Sequence, residues 1–168
     1  ALAVYDSPLD TTLFFNIIAG FISTTLIVSA NYVINEYLDV AFDKDHPLKK
    51  FRVGVVRQVS THYTYLFYAL LAITGLLLAF MISSKYFLAS GFLLFMGVIY
   101  NVRPFRTKER VYMDVLTESI NNPIRFTLGW FMVPLEAGRY LDNRWDLEFF
   151  DTLPPFSIII AYWMGGAF

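Results

Sequence analysis

The chain has 168 residues, of which 57% are hydrophobic, 18% aromatic and only 16% charged. Soluble domains carry about 25% charged residues, so this composition indicates a protein surrounded by lipid, and a large soluble protein with long buried helices is the alternative. A net charge of −1 provides no basic surplus for binding nucleic acid, and the lack of cysteine excludes disulfide scaffolds and Cys-ligated zinc.

Five apolar segments follow one another along the chain, and a helix needs about 20 mainly apolar residues to cross a bilayer. The segments are Leu13–Leu38, Tyr63–Ile82, Tyr86–Tyr100, Val115–Leu135 and Pro155–Phe168. The third is short, the fourth is interrupted by Asn121-Asn122-Pro123, and the fifth runs to the last residue. We therefore predict an all-α, multi-span transmembrane bundle with about five spans. It forms a single domain over residues 1–168 that is truncated at both ends.

Positive charge is concentrated in the links after the first and third predicted spans. These links contain Lys44, Lys49, Lys50, Arg52 and Arg57, and then Arg103, Arg106, Lys108 and Arg110. The other links are poor in basic residues, and Glu136–Asp151 is acidic. Links after odd-numbered spans share one side of the membrane, so the positive-inside rule predicts that this side is cytoplasmic. The protein is predicted to be a multi-pass protein of the cell membrane.

A stripe of polar residues lies along one face of the first predicted helix. Asn31, Asn35, Asp39 and Asp43 follow at four-residue steps, which keeps their side chains on one face. One interpretation is that the amides bond to neighbouring helices and the carboxylates are solvated. The other is a metal site, because carboxylates one turn apart with an amide oxygen suit Mg²⁺, which shares its ligands with phosphates. The metal interpretation predicts that Asn35, Asp39 and Asp43 bind Mg²⁺ at the cytoplasmic surface of the membrane, beside a diphosphate.

Three basic residues and one tyrosine that follow or end the predicted spans are candidates for binding the diphosphate of a substrate. Lys50 and Arg52 follow the stripe, and Tyr100 and Arg103 stand at the end of the third span. Phosphate contact is one interpretation of the basic residues, and ordinary membrane topology explains any single one of them equally well.

The fourth predicted span carries polar residues at helical spacing. Glu118, Asn122 and Arg125, together with Asn31 of the stripe, are candidates for a cavity wall that binds an acceptor substrate. The alternative is an interhelical ion pair between Glu118 and Arg125, and the sequence leaves both possibilities open. Pro123 is expected to free the carbonyl group near Ser119.

Three segments resemble the UbiA-type intramembrane polyprenyltransferases. Asn35-Glu36-x-x-Asp39-x-x-x-Asp43 resembles the family's first aspartate-rich motif, N-D-x-x-D-x-x-x-D. Asp45-His46-Pro47-x-Lys49-x-Phe51-Arg52 is most similar to the branch that transfers phosphoribose to a polyprenyl phosphate. Tyr100-Asn101-Val102-Arg103, with Arg106 and Lys108, resembles the tyrosine-plus-basic motif at the end of the family's fourth helix. The resemblance implies that Asn35, Asp39 and Asp43 are catalytic. Glu36 stands in place of the usual Asp, and Val53 in place of the usual Pro.

The resemblance implies an Mg²⁺-dependent transferase that moves a prenyl group from an isoprenoid diphosphate to an aromatic or lipophilic acceptor. In the related branch, the donor is phosphoribosyl diphosphate and the acceptor is a polyprenyl phosphate. The same carboxylates serve both chemistries, so the motif does not separate them. A transporter or assembly subunit is the non-enzyme alternative, and it predicts a polar stripe that runs through the whole bilayer.

The resemblance also predicts which part of the family's bundle this sequence represents. Residues 1–168 correspond to roughly helices two to six of nine, and the second aspartate-rich motif is absent from the sequence. We therefore expect this chain alone to be inactive.

Overall fold

The computed structural model describes residues 11–44, 47–48, 51, 60–133 and 153–167. These residues form α-helices and one short 3-10 helix, with no strand among them, so the all-α prediction is confirmed. The helices are α1 (Thr11–Asp43), α2 (Thr61–Ile82), α3 (Ser84–Asn101), α4 (Met113–Ser119), α5 (Asn121–Phe131) and α6 (Phe156–Ala167). The 3-10 helix, Thr107–Glu109, lies in the link between α3 and α4.

Two buried hydroxyl groups and a glycine hold α1 against α2 and α3. Ser23 Oγ donates to the carbonyl oxygen of Gly75 at 2.7 Å, and the Tyr86 hydroxyl donates to the carbonyl oxygen of Gly20 at 2.7 Å. A Cβ at Gly75 would lie 2.8 Å from Ile27 Cγ1, so the missing side chain lets α1 and α2 approach closely. These contacts fix the position of α1, which carries the polar stripe.

Two helix boundaries have identifiable local causes. Ser83 alone separates α2 from α3: its extended backbone ends α2, and its Oγ accepts the N–H of Tyr86 at 3.1 Å. Pro123 is the third residue of α5, and because it lacks a backbone N–H it cannot donate to the carbonyl oxygen of Ser119. The helix is interrupted at Ile120, between α4 and α5, which confirms the predicted interruption of the fourth apolar segment.

Two of the described helices are long and apolar enough to cross a membrane by length and composition. They are Thr11–Val40 within α1 and Thr61–Ile82, which is α2. Of the other predicted spans, α3 has 18 residues, the fourth is divided into α4 and α5, and α6 is a shorter apolar helix. Large apolar side chains on the outer faces of α1 and α2 are exposed, for example Phe14, Phe21, Leu70 and Met81. Such surfaces are typical of contact with lipid.

Candidate active site

The polar stripe of α1 lines a cavity of about 720 Å³, which we call the polar cavity. Asn31, Asn35, Asp39 and Asp43 all contribute to its wall, so the four-residue spacing places them on one face as predicted. The opposite walls come from the end of α3, the link that contains the 3-10 helix, and the region where α4 meets α5. Asp43 is 5% exposed, so a carboxylate is buried at the end of the stripe.

Lys108 lies at the centre of the hydrogen bonds in the polar cavity. Its Nζ donates to Asp39 Oδ1 at 2.5 Å, to Asn35 Oδ1 at 2.8 Å and to Asn101 Oδ1 at 2.9 Å. The amide of Asn101 is itself oriented by a bond from its Nδ2 to the Gly97 carbonyl oxygen at 2.9 Å. Burial lowers the pKa of the Lys108 ammonium below its ordinary value, and the hydrogen bond to Asp39 acts in the opposite direction.

Arg106 provides a second cation to the same carboxylate. Its Nη2 donates to Asp39 Oδ1 at 3.0 Å, its Nη1 donates to the Asn101 carbonyl oxygen at 3.3 Å, and its Nε donates to Glu109. The guanidinium also lies 4.7 Å from the centre of the Phe42 ring. The backbone of Arg106 is left-handed, with φ 33°, which costs about 1–3 kcal/mol for a residue other than glycine. The bonds of its 6%-exposed side chain offset this cost.

Two amide oxygens in the wall of the polar cavity are buried without a hydrogen-bond partner. They are Asn31 Oδ1 and Asn121 Oδ1. Asn31 donates through its Nδ2 to the Leu93 carbonyl oxygen at 3.1 Å, and a Cβ at Gly97 would overlap this amide. A buried acceptor without a partner is unfavourable, so each of these oxygens costs free energy in the packing of the cavity wall.

The oxygen donors of the polar cavity match the chemistry that Mg²⁺ prefers. Among the described residues, no three His, Cys, Asp or Glu side chains come together as a metal-binding group. Asn35, Asp39 and Asn101 direct their side-chain oxygens at one cation, the Lys108 ammonium. Carboxylate and amide oxygens are hard ligands suited to Mg²⁺, and Asp43 lines the same cavity. These residues fit one part of a magnesium site.

The predicted acceptor wall also lines the polar cavity. Asn31, Glu118, Asn122 and Arg125 are all part of its surface, and so is Tyr100, a candidate for diphosphate binding. Glu118 and Arg125 are both exposed, and no ion pair between them occurs among the salt bridges of the described residues. The alternative prediction, an ion pair between Glu118 and Arg125, is therefore wrong, and both side chains line the cavity.

The basic residues that contact the stripe differ from the ones that the sequence favoured for binding diphosphate. Arg103 is exposed and is not part of the cavity wall, whereas Arg106 and Lys108 both contact Asp39. Lys50 and Arg52 lie outside the described residues, so their diphosphate contacts remain predictions. Asn101, which orients Lys108, has no signal in the sequence beyond its place next to Tyr100.

Comparisons with known proteins identify the family of this chain. The sequence matches the model of the UbiA prenyltransferase family over residues 1–168. It is also similar to the uncharacterized protein y4nM of Sinorhizobium fredii (strain NBRC 101917 / NGR234), with 28% identity over 110 residues. That match covers 66% of this chain and 21% of y4nM, so the chain spans about a fifth of that relative's length. No solved structure matches the chain significantly.

Proposed function

Because the chain belongs to the UbiA prenyltransferase family, we propose that the full-length protein is an integral-membrane prenyltransferase. It transfers a prenyl group from an isoprenoid diphosphate to an aromatic or lipophilic acceptor. The observation that carries this proposal is the polar cavity at the end of α1. There, Asn35, Asp39 and Asp43 share a wall, and the cations of Arg106 and Lys108 contact Asp39. Oxygen ligands beside fixed cations suit a metal-bound diphosphate.

The reaction breaks one bond and forms another. The bond between the allylic carbon of the prenyl chain and the diphosphate oxygen breaks, and its electron pair leaves with the diphosphate. The acceptor supplies the electron pair of the new bond and releases a proton. Mg²⁺ bound by Asn35, Asp39 and Asp43 would neutralise charge on the departing diphosphate. Arg106 and Lys108 hold Asp39 in place and are close enough to the cavity to stabilise phosphate oxygens.

Isosteric substitution of the stripe carboxylates tests this proposal. We expect Asp39→Asn and Asp43→Asn in the full-length protein to lower kcat/KM for prenyl transfer by about 100-fold or more, because even residues that only support metal ligands cost about 10–100-fold. Chelation of Mg²⁺ should abolish transfer. The matched control is Asp114→Asn, which lies outside the polar cavity and can keep its bond from the Val115 N–H. Wild-type rates in both stripe variants would make the stripe structural and overturn the proposal.

Phosphoribosyl transfer is the second candidate, because residues 45–52 are most similar to the phosphoribosyl-transferring branch. The same protein is therefore assayed with phosphoribosyl diphosphate and a polyprenyl phosphate. Aspartate-dependent, lipid-soluble product in this assay alone would replace prenyl transfer by phosphoribosyl transfer.

The proposed active site lies on the cytoplasmic side of the membrane. The support is the concentration of basic residues in the links after α1 and α3. The link after α3 supplies Arg106 and Lys108 to the polar cavity, so the cavity lies at the end of the bundle that carries positive charge.

A further inference from the structure

The ammonium of Lys108 uses all of its N–H donors inside the polar cavity. An ammonium carries three donors, and Lys108 Nζ lies 2.5–2.9 Å from three side-chain oxygens, those of Asn35, Asp39 and Asn101. The Lys108 side chain is only 11% exposed, so water takes little part in these contacts. Lys108 must therefore give up at least one of the three oxygens before it donates to a phosphate group.

Two of these oxygens belong to residues proposed to bind Mg²⁺, Asn35 and Asp39. Mg²⁺ holds its oxygen ligands at about 2.0–2.1 Å, so an ion that shared both oxygens would lie beside the Lys108 ammonium. Like charges repel strongly at such short range, and the repulsion is screened little where the groups are buried from solvent. The ammonium and a divalent cation are thus alternatives at these two oxygens.

Arg106 differs from Lys108 in this respect, although it brings the same charge to the same carboxylate oxygen. In the described part of the chain, Asp39 is the only residue of the stripe that the Arg106 guanidinium contacts. Its other hydrogen bonds go to groups that are not assigned to the metal, the Asn101 backbone carbonyl and Glu109. These bonds hold the guanidinium independently of the stripe, so only Lys108 has to leave for a metal ion.

On the premise of the proposed transferase activity, we infer that Lys108 competes with the metal ion for Asn35 and Asp39, and that a diphosphate ends this competition by drawing the ammonium onto its own oxygens. Lys108 then neutralises phosphate charge, and the amide and carboxylate oxygens are released for the metal. Because linkage between two binding events is reciprocal, the metal and the diphosphate each raise the other's affinity. The polar cavity therefore takes up the divalent cation together with a diphosphate and excludes it otherwise.

The first test measures metal binding without any substrate. Mn²⁺, which also suits oxygen ligands, is titrated onto the full-length protein in detergent, and EPR spectroscopy measures the free ion. We expect Lys108→Met to lower the Kd for Mn²⁺ by about tenfold or more, a typical size for coupled sites. Lys85→Met makes the same change outside the polar cavity and should leave the Kd unchanged. Equal Kd values in wild type and Lys108→Met would mean that the metal uses oxygens that Lys108 does not contact, and would overturn the inference.

Arg106→Gln separates direct competition from the general effect of a nearby positive charge. It also removes a cation that contacts Asp39 Oδ1, but we expect it to lower the Kd for Mn²⁺ less than Lys108→Met does. The gain in Lys108→Met should be lost when Asp39→Asn is added. A gain that is equal in Arg106→Gln and Lys108→Met, or one that survives Asp39→Asn, would contradict competition at the stripe.

Inorganic diphosphate tests the second half of the inference. With diphosphate in excess, radiolabelled Mn²⁺ is presented as its diphosphate complex, and equilibrium dialysis measures the Kd of that complex. We expect wild type to bind the complex more tightly than free Mn²⁺. Lys108→Met should weaken binding of the complex by about tenfold or more, as for the loss of a hydrogen bond between charged groups. Tighter binding of free Mn²⁺ than of the complex in wild type would refute the inference without recourse to any variant.

These measurements contain no prenyl donor, so they separate the inference from the proposed reaction. Opposite effects of Lys108→Met on free Mn²⁺ and on the complex, in a protein without prenyl transfer, would refute the proposed reaction and leave the competition standing. Asp39-dependent prenyl transfer, with Mn²⁺ binding that is unchanged in Lys108→Met, would refute the competition alone.

Discussion

Lys108 contacts three side-chain oxygens, from Asn35, Asp39 and Asn101, at 2.5–2.9 Å. An ammonium group can direct three N–H donors at separate acceptors, whereas a guanidinium presents its donors in one plane. The arrangement therefore depends on the shape of the cation as well as on its charge. At the scale of single residues, Lys108 joins the end of α3 to the carboxylate and the amide of the stripe.

Substitution of Lys108 separates charge from geometry. We expect Lys108→Met and Lys108→Arg each to lower kcat/KM for transfer by about 10–100-fold, because residues that hold metal ligands contribute to this extent. The control is Lys85→Met, near the start of α3 and outside the polar cavity, which should keep the wild-type rate. A wild-type kcat/KM in Lys108→Arg would show that positive charge alone is sufficient for transfer, and would contradict the role of the ammonium's geometry.

Two glycines of α3 have opposite surroundings, and the difference positions the stripe. A Cβ at Gly97 would overlap the amide of Asn31 on α1, whereas a Cβ at Gly91 would have no atom within 4 Å. Gly97 therefore lets α3 lie close to the stripe. At the scale of elements, Gly97 permits the close contact between α1 and α3 at the stripe.

Alanine at the two glycines should change stability in opposite directions. We expect Gly97→Ala to lower the free energy of unfolding by about 1–3 kcal/mol, because the added methyl group overpacks the contact with Asn31. Gly91→Ala should raise the same quantity by up to about 1 kcal/mol, through better helix propensity. Unfolding of both variants in mixed detergent micelles measures the difference. Equal values would contradict the close approach of the two helices.

The break between α4 and α5 places polar residues in the wall of the polar cavity. Asn121 and Asn122 form the first turn of α5 and line the polar cavity. Ser119 Oγ, at the end of α4, accepts the Nε1–H of Trp163 on α6 at 3.0 Å. The Ser119 side chain near the break thus connects α4 to α6. The same interruption provides two of the amides that line the polar cavity, Asn121 and Asn122.

Contacts at the scale of the whole molecule bring three helix ends together. The Tyr37 hydroxyl, near the end of α1, lies 2.6 Å from Thr61 Oγ1 at the start of α2. Arg106 and Lys108, in the link after α3, contact Asp39 near the end of α1. The link after α3 therefore lies at the same end of the bundle as the end of α1 and the start of α2.

Single cysteines test which side of the membrane this end occupies. Residues 1–168 contain no cysteine, so each introduced thiol is the only one in this part of the protein. We expect Lys44→Cys and Val111→Cys in sealed vesicles to react with a membrane-impermeant thiol reagent from the cytoplasmic side. Lys85→Cys, in the first turn of α3, should react from the opposite side. Labelling of all three from one side would contradict the predicted orientation.

The sequence by itself determined the features that depend on local spacing. Apolar segments predicted the helices, and Pro123 predicted the break between α4 and α5 because a missing N–H is a property of one residue. The four-residue steps predicted that Asn31, Asn35, Asp39 and Asp43 share a face, since helix geometry alone sets that relation. The family followed from the same stripe and its neighbouring motifs.

Only the tertiary structure decided which distant residues meet the stripe. The link after α3 contains a left-handed residue, Arg106, and brings Arg106 and Lys108 to Asp39. Arg103, in the same link, remains exposed. No periodicity in the sequence of a link specifies such a turn, because its conformation is maintained by contacts with residues more than 60 positions away.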